Sequence, residues 1–238
     1  MALSKTEFSV LKLILFDIDG TLLTSIGTGR RALMEAIQSV CGRSIAVDGV
    51  QFAGRTDPAI IRDLMVRNEI QSDEAEKLLP AVLEVYTSTL MNLLTPSSVR
   101  VYPGVMNLVR KLHSSEDLVL GLLTGNLRET AYLKLHAAGL GSFFPFGAFG
   151  SDRELRNDLP EVAAERATAT TGHIFAPHKT IVIGDTPLDF ECARVHGARC
   201  VGVSTGPYSR DELAEHAPDL LMDDFSDPSE LYAFIRAC

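Results

Sequence analysis

Asp17 and Asp19 stand two residues apart in LILFDIDGTLL (Leu13 to Leu23), at the end of an apolar run and immediately before Gly20. Asp185 ends a second such run, KTIVIGD, with Asp189 four residues on; Thr124 lies at the end of a third, DLVLGLLTG. Carboxylates gathered at one point repel one another unless a cation joins them. A donor set made only of hard oxygens points to Mg²⁺, which takes one or two carboxylates and keeps room for water and a phosphate. The Thr124 hydroxyl and the unshielded N–H of Gly125 suit a phosphoryl oxygen.

For that chemistry the residues must meet, and the elements around them predict that they do. The three apolar runs are short and continuous rather than alternating, as buried parallel strands are. Two more, RCVGVSTG and the weaker PDLLMDD, extend the series, and helical spacing separates them. Alternating strand and helix predict an α/β fold: a Rossmann-like three-layer parallel-sheet core with right-handed crossovers. Ligands of such sheets bind where loops leave the carboxyl ends of the strands, which is where Asp17, Thr124 and Asp185 fall.

Between Leu23 and about Tyr102 the pattern changes. Leu78, Leu79, Val82, Val85, Tyr86, Leu90, Leu93 and Leu94 recur at three- and four-residue intervals, so 75–94 reads as an amphipathic helix. Residues 30–40 and 58–68 read as helices too, the latter with Asp57 as N-cap and Pro58 in the first turn. The division expected is an α/β core of residues 1–23 and 101–238 with an inserted helical cap domain over 24–100. TPSSVRVYPG is the return linker, and Gly27 and Gly29 are candidate hinges.

The chain of 238 residues carries a formal net charge of -9, which argues against a nucleic-acid binder working through an overall positive field. No apolar stretch approaches the roughly 20 residues needed to span a bilayer, and MALSKTEFSV lacks a secretory leader's pattern. Cys41, Cys192, Cys200 and Cys238 are far apart without CxxC spacing, so a reducing cytoplasm is the expected location. The histidines show no ligand spacing, and Cys192 reads as a small core residue.

LFDIDGTLL is similar to the DxDGT signature of the haloacid dehalogenase superfamily, LLTGN to its second motif and VIGDTPLD to its acidic fourth, in the family's order and over essentially the whole chain. The resemblance implies that Asp17 is a nucleophile forming an aspartyl-phosphate. It implies that Asp19 is the acid and base, with its backbone carbonyl on Mg²⁺, and that Asp185 is a metal ligand beside Asp17. Asp189 would be a supporting acid; the competing reading is a residue that caps or pairs on the following helix. Thr124 and the N–H groups of Ile18, Asp19 and Gly125 would hold the phosphoryl group. The family's third-motif lysine is missing from Gly150 to Ala167; Arg156 stands about where it should fall, with Arg153 as competitor. FAGRTD resembles the cap segment of phosphoglycolate phosphatases and β-phosphoglucomutases, and Arg55 would there reach the substrate's non-reacting end.

The expectation is a Mg²⁺-dependent phosphatase of a small phosphorylated metabolite, phosphoglycolate phosphatase-like. The alternatives are a β-phosphoglucomutase-like mutase and a sugar-phosphate or nucleotide phosphatase. A dehalogenase would need neither the acid at Asp19 nor a metal, and a phosphonatase would need a cap lysine where only Lys77 is available. A receiver-type phospho-acceptor module lacks both DxDGT and a long insertion, and intact Asp17 and Asp19 argue against a non-catalytic member that only binds a partner.

Overall fold

The computed structural model describes residues 11–238, so the reading of 1–10 as lacking a leader falls outside it. In chain order β1 (Lys12–Phe16) and a short β2 (Leu23–Thr24) precede helices α1 (Thr28–Cys41), α2 (Asp57–Arg67) and α3 (Ser72–Leu93). The chain returns through β3 (Arg100–Val101) to α4 (Val105–His113), β4 (Leu118–Thr124), α5 (Arg128–Ala137), β5 (Gly147–Phe149) and α6 (Leu159–Thr171). It closes with β6 (Thr180–Gly184), α7 (Pro187–His196), β7 (Arg199–Val203), α8 (Arg210–Glu215), β8 (Leu220–Met222) and α9 (Ser229–Ala237).

Six strands form one parallel sheet in the order β5-β4-β1-β6-β7-β8. The two-residue period of β1 divides its side chains between two layers. Ile14 and Phe16 join a core with Leu108 and Leu112 of α4, Leu135 of α5 and Leu231 of α9. Leu13 and Leu15 join another with Leu159 of α6, Phe190 of α7 and Leu213 of α8. Burial on both faces explains the continuous apolar runs. Strand β5, only three residues long, was not expected, because GAF is too brief to register as a run.

Helices α1, α2 and α3 have a core of their own, built from Leu33 and Ile37, Ile61 and Leu64, and Val82, Tyr86 and Leu90. The chain's exit into this unit and its return pair as an antiparallel ribbon, Leu23 opposite Val101 and Thr24 opposite Arg100. One local expectation fails. The N-cap of α2 is Thr56, whose hydroxyl accepts from the Ala59 N–H at 3.4 Å, because the Asp57 carboxylate is turned toward the start of α5 instead. Gly29 lies in the first turn of α1, whereas Gly27 has a φ of 79° and follows Ile26 at 47°. No helix among the described residues is long and apolar enough to cross a membrane, and the four cysteines are free.

Candidate active site

The register of the sheet brings the strand ends together. Phe16 lies opposite Leu122 on one side and Ile183 on the other, so Asp17, Thr124 and Asp185 leave three adjacent strands at one edge. Asp17 is tied into the sheet by its N–H, which donates to the Ile183 carbonyl at 2.9 Å. Gly20 turns the chain with a φ of 86°, and a side chain there would occupy the space of the Asp185 carboxylate. The abrupt glycine after two acids thus serves both the turn and the approach of a third acid.

Oxygens of Asp17, Asp185 and Asp189 come within 4.8 Å of one another, all buried. One cation among the described residues answers them: Arg156 reaches Asp17 Oδ2 at 3.4 Å with Nη2, which also donates to Asp189 Oδ1. Burial first, then the neighbouring carboxylates against the pull of Arg156, push the Asp17 carboxyl up to about 6. Asp185 is raised too, by burial and then by the Asp189 and Asp17 charges, although Thr21 donates to its Oδ1 at 3.0 Å. Three carboxylates against one guanidinium leave an excess of negative charge that a divalent cation fits, and the donors are all oxygen. Asp189 is the most committed of the three: Oδ2 accepts from the Thr186 N–H and hydroxyl at 3.0 and 2.7 Å, closing a capping box on α7.

Arg156, buried in a 3-10 turn ahead of α6, is also bound at 3.1 Å to the Gly54 carbonyl of the helical unit. Arg153, its competitor, is exposed and donates to the Asp152 carbonyl. The Thr124 hydroxyl oxygen accepts from the Asn126 side chain at 2.8 Å, which leaves its hydrogen free to donate. The Ile18 N–H is drawn to the Asp17 carboxylate, and the N–H groups of Asp19 and Gly125 have no backbone acceptor among the described residues. Gly125 cannot carry a side chain, because the Arg55 carbonyl packs against it; the Asp57 N–H donates to its carbonyl at 2.7 Å.

Asp19 is not one of the clustered acids. Its Oδ2 accepts from Lys134 Nζ at 2.6 Å and from Asn126 Nδ2 at 2.8 Å. Sequence reasoning missed both donors, and it also missed Asp57, whose Oδ2 accepts from the Leu127 N–H at 3.0 Å. The available signal for Lys134 was its place on the inward stripe of α5 with Thr130, Ala131 and Leu135. Arg55 lines the cavity, but its guanidinium is held by Asp63 at 2.8 Å and by the Ala59 carbonyl at 3.1 Å. Arg30 lines it as well, stacked 4.7 Å above the Phe52 ring, with no ion-pair partner among the described residues.

Burial outweighs the Lys134 charge and the Leu127 N–H at Asp57 and pushes that carboxyl up to about 6. With the folded value raised above the unfolded one, Asp57 supports the fold while neutral, and that support is lost as pH rises through about 6. Between about pH 4 and about pH 8, Asp57→Asn should therefore gain up to about 3 kcal/mol on the wild type in urea unfolding. A stability difference that stays level over that interval would refute the assignment.

A cavity of about 690 Å³ joins the acid cluster to the helical unit, with Leu33, Phe52 and Ile60 on one wall and Tyr102 and Tyr208 on another. A model of the family described as haloacid dehalogenase-like hydrolase matches residues 14–203. The chain is 27% identical over 218 residues to a phosphoglycolate phosphatase of Pseudomonas fluorescens, covering 90% of this chain and 76% of that one. It is 27% identical over 215 residues to a phosphoglycolate phosphatase of Synechococcus elongatus, covering 90% and 93%. The crystal structure of a hydrolase from Pseudomonas syringae superimposes with a TM-score of 0.67 over 95% of this chain and 99% of that one, at 22% identity, which supports the fold.

Proposed function

The chain belongs to the haloacid dehalogenase-like hydrolase family, and from that premise we propose that it is a phosphoglycolate phosphatase-like, Mg²⁺-dependent phosphatase that works through a phosphorylated Asp17. Asp17 attacks the phosphorus of the bound ester, forming an Asp17 O–P bond as the P–O bond to the alcohol breaks. Asp19 gives a proton to the departing oxygen. It then takes one from the water that displaces Asp17 and releases inorganic phosphate. The Thr124 hydroxyl and the N–H groups of Ile18, Asp19 and Gly125 hold the phosphoryl oxygens, and Arg156 balances charge beside Asp17. Mg²⁺, held by Asp17, Asp185 and the Asp19 carbonyl, would neutralise the transferring group; Asp189 supports the site through Arg156.

The observation that carries this reading is the meeting of Asp17, Thr124 and Asp185 at one sheet edge with more acid than Arg156 can neutralise. The helical unit, 24–100, acts as a cap over a core of 1–23 and 101–238, docked through Gly54 on Arg156 and through the Thr56 hydroxyl, which donates to the Glu154 carbonyl at 2.8 Å. Docking of this kind excludes water from the reacting phosphate. Arg55, committed to Asp63, shapes the wall. Arg30 is the freer cation for a carboxylate or second phosphate at the substrate's far end. A second reading, a sugar-phosphate or nucleotide phosphatase, is favoured by the cavity, whose volume exceeds what a two-carbon phosphate ester fills.

The test is turnover of phosphoglycolate, sugar phosphates and nucleoside monophosphates with Mg²⁺ and after EDTA. Activity should vanish on chelation and return with Mg²⁺, and Arg30→Ala should raise KM about tenfold for esters with a second anion and little for p-nitrophenyl phosphate. Activity indifferent to EDTA, or no turnover of any ester, would overturn the proposal.

A further inference from the structure

The lysine that touches the proton-carrying carboxylate comes from an element that carries none of the recognised motifs. Lys134 is on α5, ten residues past Thr124, with its side chain 5% exposed. Its ammonium donates to Asp19 Oδ2 at 2.6 Å and to Asn126 Oδ1 at 2.6 Å. Asn126 Nδ2 donates in turn to the same Asp19 oxygen at 2.8 Å and to the Thr124 hydroxyl at 2.8 Å. Lysine, asparagine and aspartate thus close a triangle, and its three bonds fix the amide's orientation.

The triangle treats the two oxygens of Asp19 differently. Oδ2 takes both donors, while no protein donor reaches Oδ1 among the described residues, and Asp19 and Lys134 both line the cavity. Lys134 is itself confined: the first turn of α1 packs on it, a Cβ at Gly29 lying in ordinary contact at 3.6 Å from Nζ. Asp57 adds a second negative charge nearby, and it is anchored on the Leu127 N–H. A lysine buried this way pins a carboxylate's rotamer rather than sampling solvent.

We propose that Lys134 is a positioning residue for proton transfer: with Asn126 it holds Asp19 by Oδ2 and so presents Oδ1 to the oxygen that receives the proton. The inference rests on the phosphatase reading above. In the first step Oδ1–H passes its proton to the ester oxygen as the P–O bond breaks and Asp17 bonds to phosphorus. In the second step Oδ1 takes a proton from the attacking water, the Asp17 O–P bond breaks, and inorganic phosphate leaves. The arrangement matters most for an alkyl ester, whose alkoxide is a poor leaving group without that proton, and least for p-nitrophenolate.

The experiment compares wild type, Lys134→Met, Lys134→Arg and Asn126→Ala on phosphoglycolate and on p-nitrophenyl phosphate, with each repeated in an Asp19→Asn background. Lys134→Met should lower kcat for the alkyl ester about 100-fold and for the aryl ester about fivefold, with KM little changed. Asn126→Ala, which removes the other donor to Oδ2, should show the same selectivity if Lys134→Met does not fold. Lys134→Arg should recover part of the alkyl activity. In Asp19→Asn, none of the changes should cost a further twofold on the alkyl ester. Equal losses on both esters, or further loss without Asp19, would overturn the positioning role; wild type inactive on both esters would instead remove the phosphatase reading beneath it.

Discussion

Asp17→Asn should abolish turnover of p-nitrophenyl phosphate, by about four orders of magnitude or more, while raising the melting temperature of the metal-free protein above pH 7. The first effect follows from chemistry. An amide at that position has no anionic oxygen to bond to phosphorus, so the covalent route closes, and loss of a nucleophile in a concerted site costs about 10⁴-fold or more. The second follows from electrostatics. Asp17 is buried beside Asp189 and Asp185, its carboxyl is pushed up to about 6, and the pull of Arg156 and of the Ile18 N–H does not cancel that shift. A raised acid supports the fold below its unfolded value and withdraws that support as pH rises through about 6. Above pH 7 the wild type therefore holds an ionised group that the variant lacks, a difference of up to about 3 kcal/mol. The two readouts are measured on one preparation, by initial rates with Mg²⁺ and by thermal melts with EDTA. Retained turnover would refute phosphorylation of Asp17, and a lower melting temperature would show that its charge is not under strain.

What the sequence made legible was the part written in chain order. Asp17, Thr124 and Asp185 could be placed together because each ends an apolar run, and parallel strands deliver their ends to one edge whatever lies between them. The helices of the insertion were legible from the spacing of Leu79, Val82, Tyr86 and Leu90, although the N-cap moved by one residue to Thr56. Lys134 was not, because a lysine in mid-helix ordinarily faces water, and only the position of Asp19 in space reveals the partner that makes its burial tolerable. The partner of Arg55 was illegible for the same reason. Its Asp63 partner lies on α2, and nothing in GRTD announces that the guanidinium folds back along its own unit. Side-chain commitments between elements depend on packing, which periodicity does not encode.

Arg156 was read from position alone, as an arginine standing where the resemblance calls for a lysine, and its surroundings make a strong prediction. Its Nη2 serves Asp17 and Asp189, its Nη1 serves the Gly54 carbonyl, and the whole side chain is buried. Arg156→Met would leave both carboxylates without the only close cation they have among the described residues, and breaking a buried pair from one side costs about 3 to 5 kcal/mol. The same change removes charge balance at the nucleophile, for which a loss of about 10² to 10³ in kcat is expected. Arg156→Lys keeps the charge but offers one nitrogen where the guanidinium offers two, so it cannot hold Asp17 and the Gly54 carbonyl with the same geometry. It should recover most of the stability and less of the rate. The double variant Arg156→Met with Asp189→Asn separates the two roles, because neutralising Asp189 removes one of the stranded charges. Chemical unfolding should show the pair more stable than Arg156→Met alone, by more than about 1 kcal/mol of coupling, with no return of activity. If the pair were additive in stability, Arg156 would not be the counter-ion of Asp189. If activity returned, its part in the reaction would be confined to folding the site.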